Sequence, residues 1–133
     1  MGKLVERELS YIVTGFCFQV HNQLGRFCRE KQYGDKLEEL LLHNKINHKR
    51  EFEITKLVSE APDGNRLDFL IEDKIILELK AKRFITKQDY FQMQRYLQAA
   101  DLDLGLIVNF HHSFLKPKRV LNYTKYQEKN SEH

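Results

Sequence analysis

Long apolar runs are missing from this 133-residue chain, and none approaches the roughly 18 residues that a membrane span requires. The start, Met1-Gly2-Lys3-Leu4-Val5-Glu6-Arg7-Glu8, also lacks the apolar stretch of a secretory signal, so a cytoplasmic protein with no membrane partner is expected. Cysteine is scarce: Cys17 and Cys28 stand without a second pair and without a Cys-x-x-Cys spacing. That argues against a zinc site and leaves reduced, partly buried thiols as the expectation. Proline and glycine, at 2 and 6 residues, are too few for a low-complexity chain, and no internal repeat is visible. Nor does charge of one sign dominate. The 22 basic and 19 acidic residues leave a formal net charge of +3, too even a balance to establish a polyanionic partner by itself.

What is present is the composition of a folded domain, 41% hydrophobic and 31% charged. The length suits one core, so residues 1–133 are read as a single domain with a polar tail from about residue 123. Charge is clustered locally. Lys80, Lys82, Arg83 and Lys87 form one basic stretch, and Lys116, Lys118, Arg119 and Lys125 form another. Either could meet phosphates, although such runs are more often solvated faces.

Periodicity orders the elements. Leu9, Ile12, Val13, Phe16, Val20 and Leu24 recur at helical steps, and Gly25 is a natural stop. Tyr33, Leu37, Leu40 and Leu41 predict a second helix, with Glu30 and Lys31 at its first turn. Phe52 and Ile54 alternate with Glu51 and Glu53, and the turn-rich Ala61-Pro62-Asp63-Gly64-Asn65 separates them from a strand over 66–71. Ile75-Ile76-Leu77-Glu78-Leu79-Lys80 is a further strand, joined to the last by Glu72-Asp73-Lys74. Tyr90, Met93 and Leu97 mark a third helix, which Thr86 caps with Asp89 three residues on. Leu104 to Phe110 is continuously apolar apart from Asn109, as in a strand covered on both faces. After Pro117 a short helical or irregular tail is expected. The order is α-α-β-β-β-α-β, an α/β fold with a mixed sheet of about four strands flanked by helices.

The chemistry centres on the strand over 75–80. Side chains alternate along a strand, so Ile76, Glu78 and Lys80 share one face. If Glu72 to Lys74 is a three-residue loop, Ile71 sits opposite Ile75 and Asp68 falls opposite Glu78, with Cβ atoms about 4.5–5.5 Å apart. Two carboxylates at that separation repel unless one is protonated or a cation lies between them. Hard divalent ions take oxygen ligands, and Mg²⁺ commonly uses one or two carboxylates. Asp68, Glu78 and the backbone carbonyl of Leu79 would form a partial shell for Mg²⁺ or Mn²⁺, with Lys80 placed to hold a water or neutralise a phosphate. The plainer reading is a routine Glu–Lys pair on an exposed sheet face. Against it stand the burial implied by Ile75, Ile76 and Leu77 and the basic run after Lys80.

At motif level the chain resembles the GxxExxY proteins, a branch of the PD-(D/E)XK nuclease superfamily, from about Glu8 to Asn122. The resemblance rests on Glu8-Leu9-Ser10-Tyr11, Val20-His21-Asn22-Gln23-Leu24-Gly25, Glu30-Lys31-Gln32-Tyr33, Arg66-Leu67-Asp68, Ile76-Leu77-Glu78-Leu79-Lys80-Ala81, Gln92 with Tyr96-Leu97, and Leu104 to Phe110. It implies a restriction-endonuclease-like core, metal ligation by Asp68 and Glu78, catalysis by Lys80, an accessory acid in Glu30 and a role for Gln92. Phe27 stands where the motif has its first Gly, which could shift Glu30. Tyr33 and His21 are accessory candidates, each also at home in a core.

The implied function is metal-dependent hydrolysis of nucleic-acid phosphodiesters, with DNA the default substrate. Lys82, Arg83 and Lys87 are candidate phosphate contacts around a helix start, where free N–H groups favour anions. The rival is a non-hydrolytic nucleic-acid-binding or assembly module that keeps the nuclease fold. Assembly as a homodimer or within a larger complex stays open.

Overall fold

The computed structural model describes residues 6–54 and 66–125, so the loop expected at Ala61 to Asn65 and the polar tail beyond 125 lie outside the described residues. Helix α1 spans Arg7–Leu24 and buries Val13, Phe16, Cys17 and Val20, four members of one stripe. It stops at Gly25, whose φ of 76° suits glycine and whose N–H bonds the His21 carbonyl at 2.8 Å. Helix α2, Glu30–His43, buries Tyr33, Leu37 and Leu41. The strands are β1 (His48–Glu53), β2 (Arg66–Ile71), β3 (Ile75–Lys80), β4 (Leu104–Asn109) and β5 (Lys118–Leu121), with helix α3 (Lys87–Ala100) between β3 and β4.

Among the described residues the sheet has five strands in the order β1-β2-β3-β4-β5. Only β3 and β4 pair in parallel among the described residues, and α3 makes the crossover that a parallel pair requires. The fifth strand corrects the expected count: the segment after Pro117 is an edge strand paired antiparallel with β4, not a helical or irregular tail. Its side chains explain why it escaped notice. Val120 is buried while Lys118, Arg119 and Leu121 are exposed, so one inward residue is too little to register as alternation.

The two faces of the sheet are covered differently. Leu77, Leu79, Leu106 and Val108 pack under α1 and α2, while Leu70, Ile76 and Ile107 pack under α3 against Met93, Tyr96 and Leu97. Gly105 allows α3 its close approach, because a Cβ there would collide with the Met93 sulfur. Strand β4 is buried along its whole length, as expected of a strand covered on both faces. Among the described residues no helix is long and apolar enough to cross a membrane, and Cys17 and Cys28 are free thiols.

Candidate active site

The turn between β2 and β3 sets the register. Glu72 and Asp73 both take positive φ, and Lys74 N–H bonds the Ile71 carbonyl at 2.9 Å, closing a three-residue loop. Ile71, Leu70 and Phe69 then face Ile75, Ile76 and Leu77 in turn. One step further the backbone ladder gives way to side chains. The Asp68 N–H donates to the Glu78 carboxylate at 2.9 Å, and the Leu79 N–H donates to the Asp68 carboxylate at 2.7 Å. The two acids thus hold β2 and β3 apart while satisfying the amides they separate.

Glu78 is only 5% exposed. Burial, and then the charge of Asp68, push its carboxyl well above the ordinary range, although the Asp68 N–H and Lys80 pull the other way. Beside the pair lies a cleft of about 180 Å³ whose lining includes Glu30, Arg50, Asp68 and Leu79. Glu30 is at the first turn of α2, where partial burial raises its carboxyl and the neighbouring Lys80 and Ala81 N–H oppose that rise; the charge of Asp68 is also felt there. The three acids and the lysine therefore occupy one region.

Lys80 ends β3 with its Nζ 3.8 Å from Asp89, and Lys82 meets the other oxygen of the same carboxylate at 2.6 Å. Asp89 is itself fixed: it accepts from the Thr86 N–H at 2.8 Å in the capping box of α3. Burial would raise its carboxyl, but the Lys82 pair and the Thr86 hydrogen bonds outweigh burial and hold it below the usual value. Across the cleft, Arg50 is gripped by Asp35 at 2.7 Å and Glu38 at 3.2 Å. Its guanidinium lies over Phe69, and over Gly34, where a Cβ would stand 2.6 Å from Nη2.

This donor set suits a hard divalent cation. Each acid spends one oxygen on a backbone amide and keeps the other, a hard oxygen donor of the kind a divalent cation takes. Among the described residues no group of three acidic, histidine or cysteine side chains converges on one point, and the acids nearest the cleft are the Asp68–Glu78 pair with Glu30 alongside. A larger hollow, about 820 Å³ between α1 and β5, is lined by no acid pair. Size does not locate the chemistry here.

A model of the PD-(D/E)XK nuclease superfamily matches residues 7–122. The chain belongs to that superfamily. The mixed sheet flanked by helices agrees with its restriction-endonuclease-like fold, and Glu78-Leu79-Lys80 lies within the matched span. The search of curated proteins and the search of solved structures each found no match.

Other residues of this nuclease-superfamily domain fall into place around the acids. Gln92 shares a helix face with Asp89 and Tyr96. Tyr96 lies close enough to feel Glu78 and Asp68, and burial chiefly pushes its phenol up to about 12. Phe27 is 82% exposed and takes no positive φ, so its position does not call for glycine's conformational freedom. Tyr33 has its hydroxyl committed elsewhere. It is fully buried, stacked on Phe110 at 4.3 Å, with its hydroxyl donating to the Gly25 carbonyl at 2.6 Å and accepting from the Cys28 N–H at 3.1 Å. It clasps the loop that delivers Glu30. His21 likewise ties α1 to the loop after β4, through the His112 carbonyl at 2.8 Å.

The basic cluster is less free than its spacing suggested. Lys82 is paired with Asp89, Arg83 lies 5.6 Å from the Phe84 ring centre, and Asp89 itself fills the anion position at the start of α3. From the sequence alone Asp89 is legible only as a capping residue, and Arg50 carries no mark at all. The capping pattern Thr86-x-x-Asp89 was the available signal for the first; nothing local marked the second.

Proposed function

We propose that the chain is a metal-dependent nuclease, a hydrolase of nucleic-acid phosphodiester bonds acting on DNA with Mg²⁺ or Mn²⁺. The observation that carries this reading is the Asp68–Glu78 pair, Glu78 buried and Asp68 partly so, facing across the open end of the β2–β3 hairpin, with Lys80 next along the strand. Asp68, Glu78, the Leu79 carbonyl and Glu30 are the groups that would hold the ion. Bound there, it would lower the pKa of a water and stabilise charge on the phosphoryl oxygens.

The protein groups divide the remaining work. Lys80, kept beside Asp89, offers a fixed ammonium to the attacked phosphate or to the incoming water. Arg50, already oriented by two carboxylates, presents its guanidinium to the same cleft. Gln92 is one helical turn from Asp89 and can steady a water or a sugar-phosphate oxygen. Lys82, Arg83 and Lys87 add contacts to the backbone without reading sequence. The motif pattern supports placement in the GxxExxY branch.

A second reading, a binding module that keeps the acids for structure, is favoured by one observation: both carboxylates already close backbone hydrogen bonds between the splayed strands. Incubation of plasmid, single-stranded DNA and RNA with Mg²⁺, Mn²⁺ or EDTA separates the two. The nuclease reading requires metal-dependent cleavage that Lys80→Ala abolishes; retained binding with no cleavage by the unaltered protein supports the module. Size-exclusion chromatography in the same buffers reports whether the active form is a monomer, a homodimer or part of a larger complex.

A further inference from the structure

A second hollow, about 400 Å³, opens at the end of the sheet where β3 and β4 terminate and β5 begins. Ile85 and Ile107 give it an apolar wall, Phe114 a free aromatic ring, and Lys116 and Lys118 two ammonium groups. Asn109 connects it to the catalytic strand. It stands opposite Lys80 in the β3–β4 pairing, and its side chain accepts from the Lys82 N–H at 3.1 Å and donates to the Lys82 carbonyl at 2.7 Å. Neighbouring strands are about 4.8 Å apart, so β5 lies roughly 10 Å across the sheet from the strand of Lys80.

Phe114 is 80% exposed, yet its loop is fixed on both sides. His21 holds the His112 carbonyl at 2.8 Å, Arg26 donates to Ser113 Oγ at 3.1 Å, and Leu115 is buried in the core. An aromatic ring held in water by an ordered loop, beside two lysines, has the composition of a base-stacking platform. The adjoining loop after β3 exposes Phe84 to 68%.

Resting on the nuclease reading above, we infer that this hollow receives an unpaired nucleotide next to the scissile phosphate, its base stacked on Phe114 and its phosphate on Lys116 and Lys118. A base inside a duplex offers only its edges, so the substrate class this selects is single-stranded DNA or a duplex with an unpaired end.

The test is fluorescence anisotropy of a labelled single-stranded deoxyoligonucleotide and of its blunt duplex, in EDTA so that nothing is cleaved. Expected are tighter binding of the single strand, an affinity loss of about 5- to 150-fold for that strand alone in Phe114→Ala, and recovery in Phe114→Tyr. Tyr11→Ala, at an equally exposed ring on α1 whose hollow holds no lysine, should change neither ligand. Replacing Lys116 and Lys118 by Ala should flatten the salt dependence by about 0.7 in log–log slope for each lost contact. Equal weakening of both ligands in Phe114→Ala, no weakening, or no binding of either would overturn the assignment. Mn²⁺-dependent cleavage of the same strands keeps the two readings apart. Binding through Phe114 without cleavage retains the pocket and removes the nuclease, while cleavage indifferent to Phe114 does the reverse.

Discussion

The two ends of the β2–β3 hairpin are built on the same register and do opposite things. At the turn, Ile71, Leu70 and Phe69 meet Ile75, Ile76 and Leu77, all nearly or fully buried, and backbone hydrogen bonds close the ladder. At the other end Asp68 and Glu78 replace those bonds with carboxylate contacts. The difference is one of side chains alone. Apolar pairs zip the strands, whereas acids hold them open at the cost of placing like charges together in a buried place.

The largest expected effect comes from closing that contrast with Glu78→Gln. The amide oxygen still accepts from the Asp68 N–H, while the repelling charge is removed. Without metal, thermal unfolding should show a gain of about 1 kcal/mol in stability, because a buried like charge has been removed. Cleavage should fall by on the order of 10³-fold, as expected when several kcal/mol of charge stabilisation is lost. Parallel losses of stability and activity would instead make Glu78 a structural acid.

At the closed end, Leu77→Ala removes a fully buried side chain and should cost about 2–5 kcal/mol in chemical denaturation. The fraction that remains folded should cleave within a few-fold of the unaltered protein. A much larger loss per folded molecule would mean that the two ends are not separable.

The hairpin was the legible part of the sequence. Its three-residue turn and the alternation through Ile76, Glu78 and Lys80 place Asp68 against Glu78 without any long-range information. Arg50 was not legible, because its partners Asp35 and Glu38 sit on α2 and meet it only when β1 packs beneath that helix. The second role of Asp89 was hidden for a similar reason. Capping is local, but its pairing with Lys80 and Lys82 depends on where α3 docks on the sheet. Tyr33 has the spacing of a site residue, and only its actual partners, Gly25 and Cys28, reveal a clasp. Strand β5 lacked signal because an edge needs just one inward side chain.

A smaller effect sharpens the role of the lysines. Asp89 has a carboxyl held below its ordinary value, so it contributes stability that is present above the unfolded pKa of about 3.9 and is lost as pH falls through the lower folded value. Asp89→Asn should therefore be less stable than the unaltered protein by about 1 kcal/mol near neutral pH, with the two denaturation curves converging below about pH 4. A constant gap across that range would remove charge from the explanation.

The most direct measurement is an anomalous difference map from a crystal soaked in Mn²⁺. The expected result is a single strong peak at the open end of the hairpin, within ligand distance of Asp68, Glu78 and the Leu79 carbonyl, absent from crystals of Glu78→Gln. A peak held by other residues, or no peak between these acids at saturating Mn²⁺, would contradict the assignment of this site.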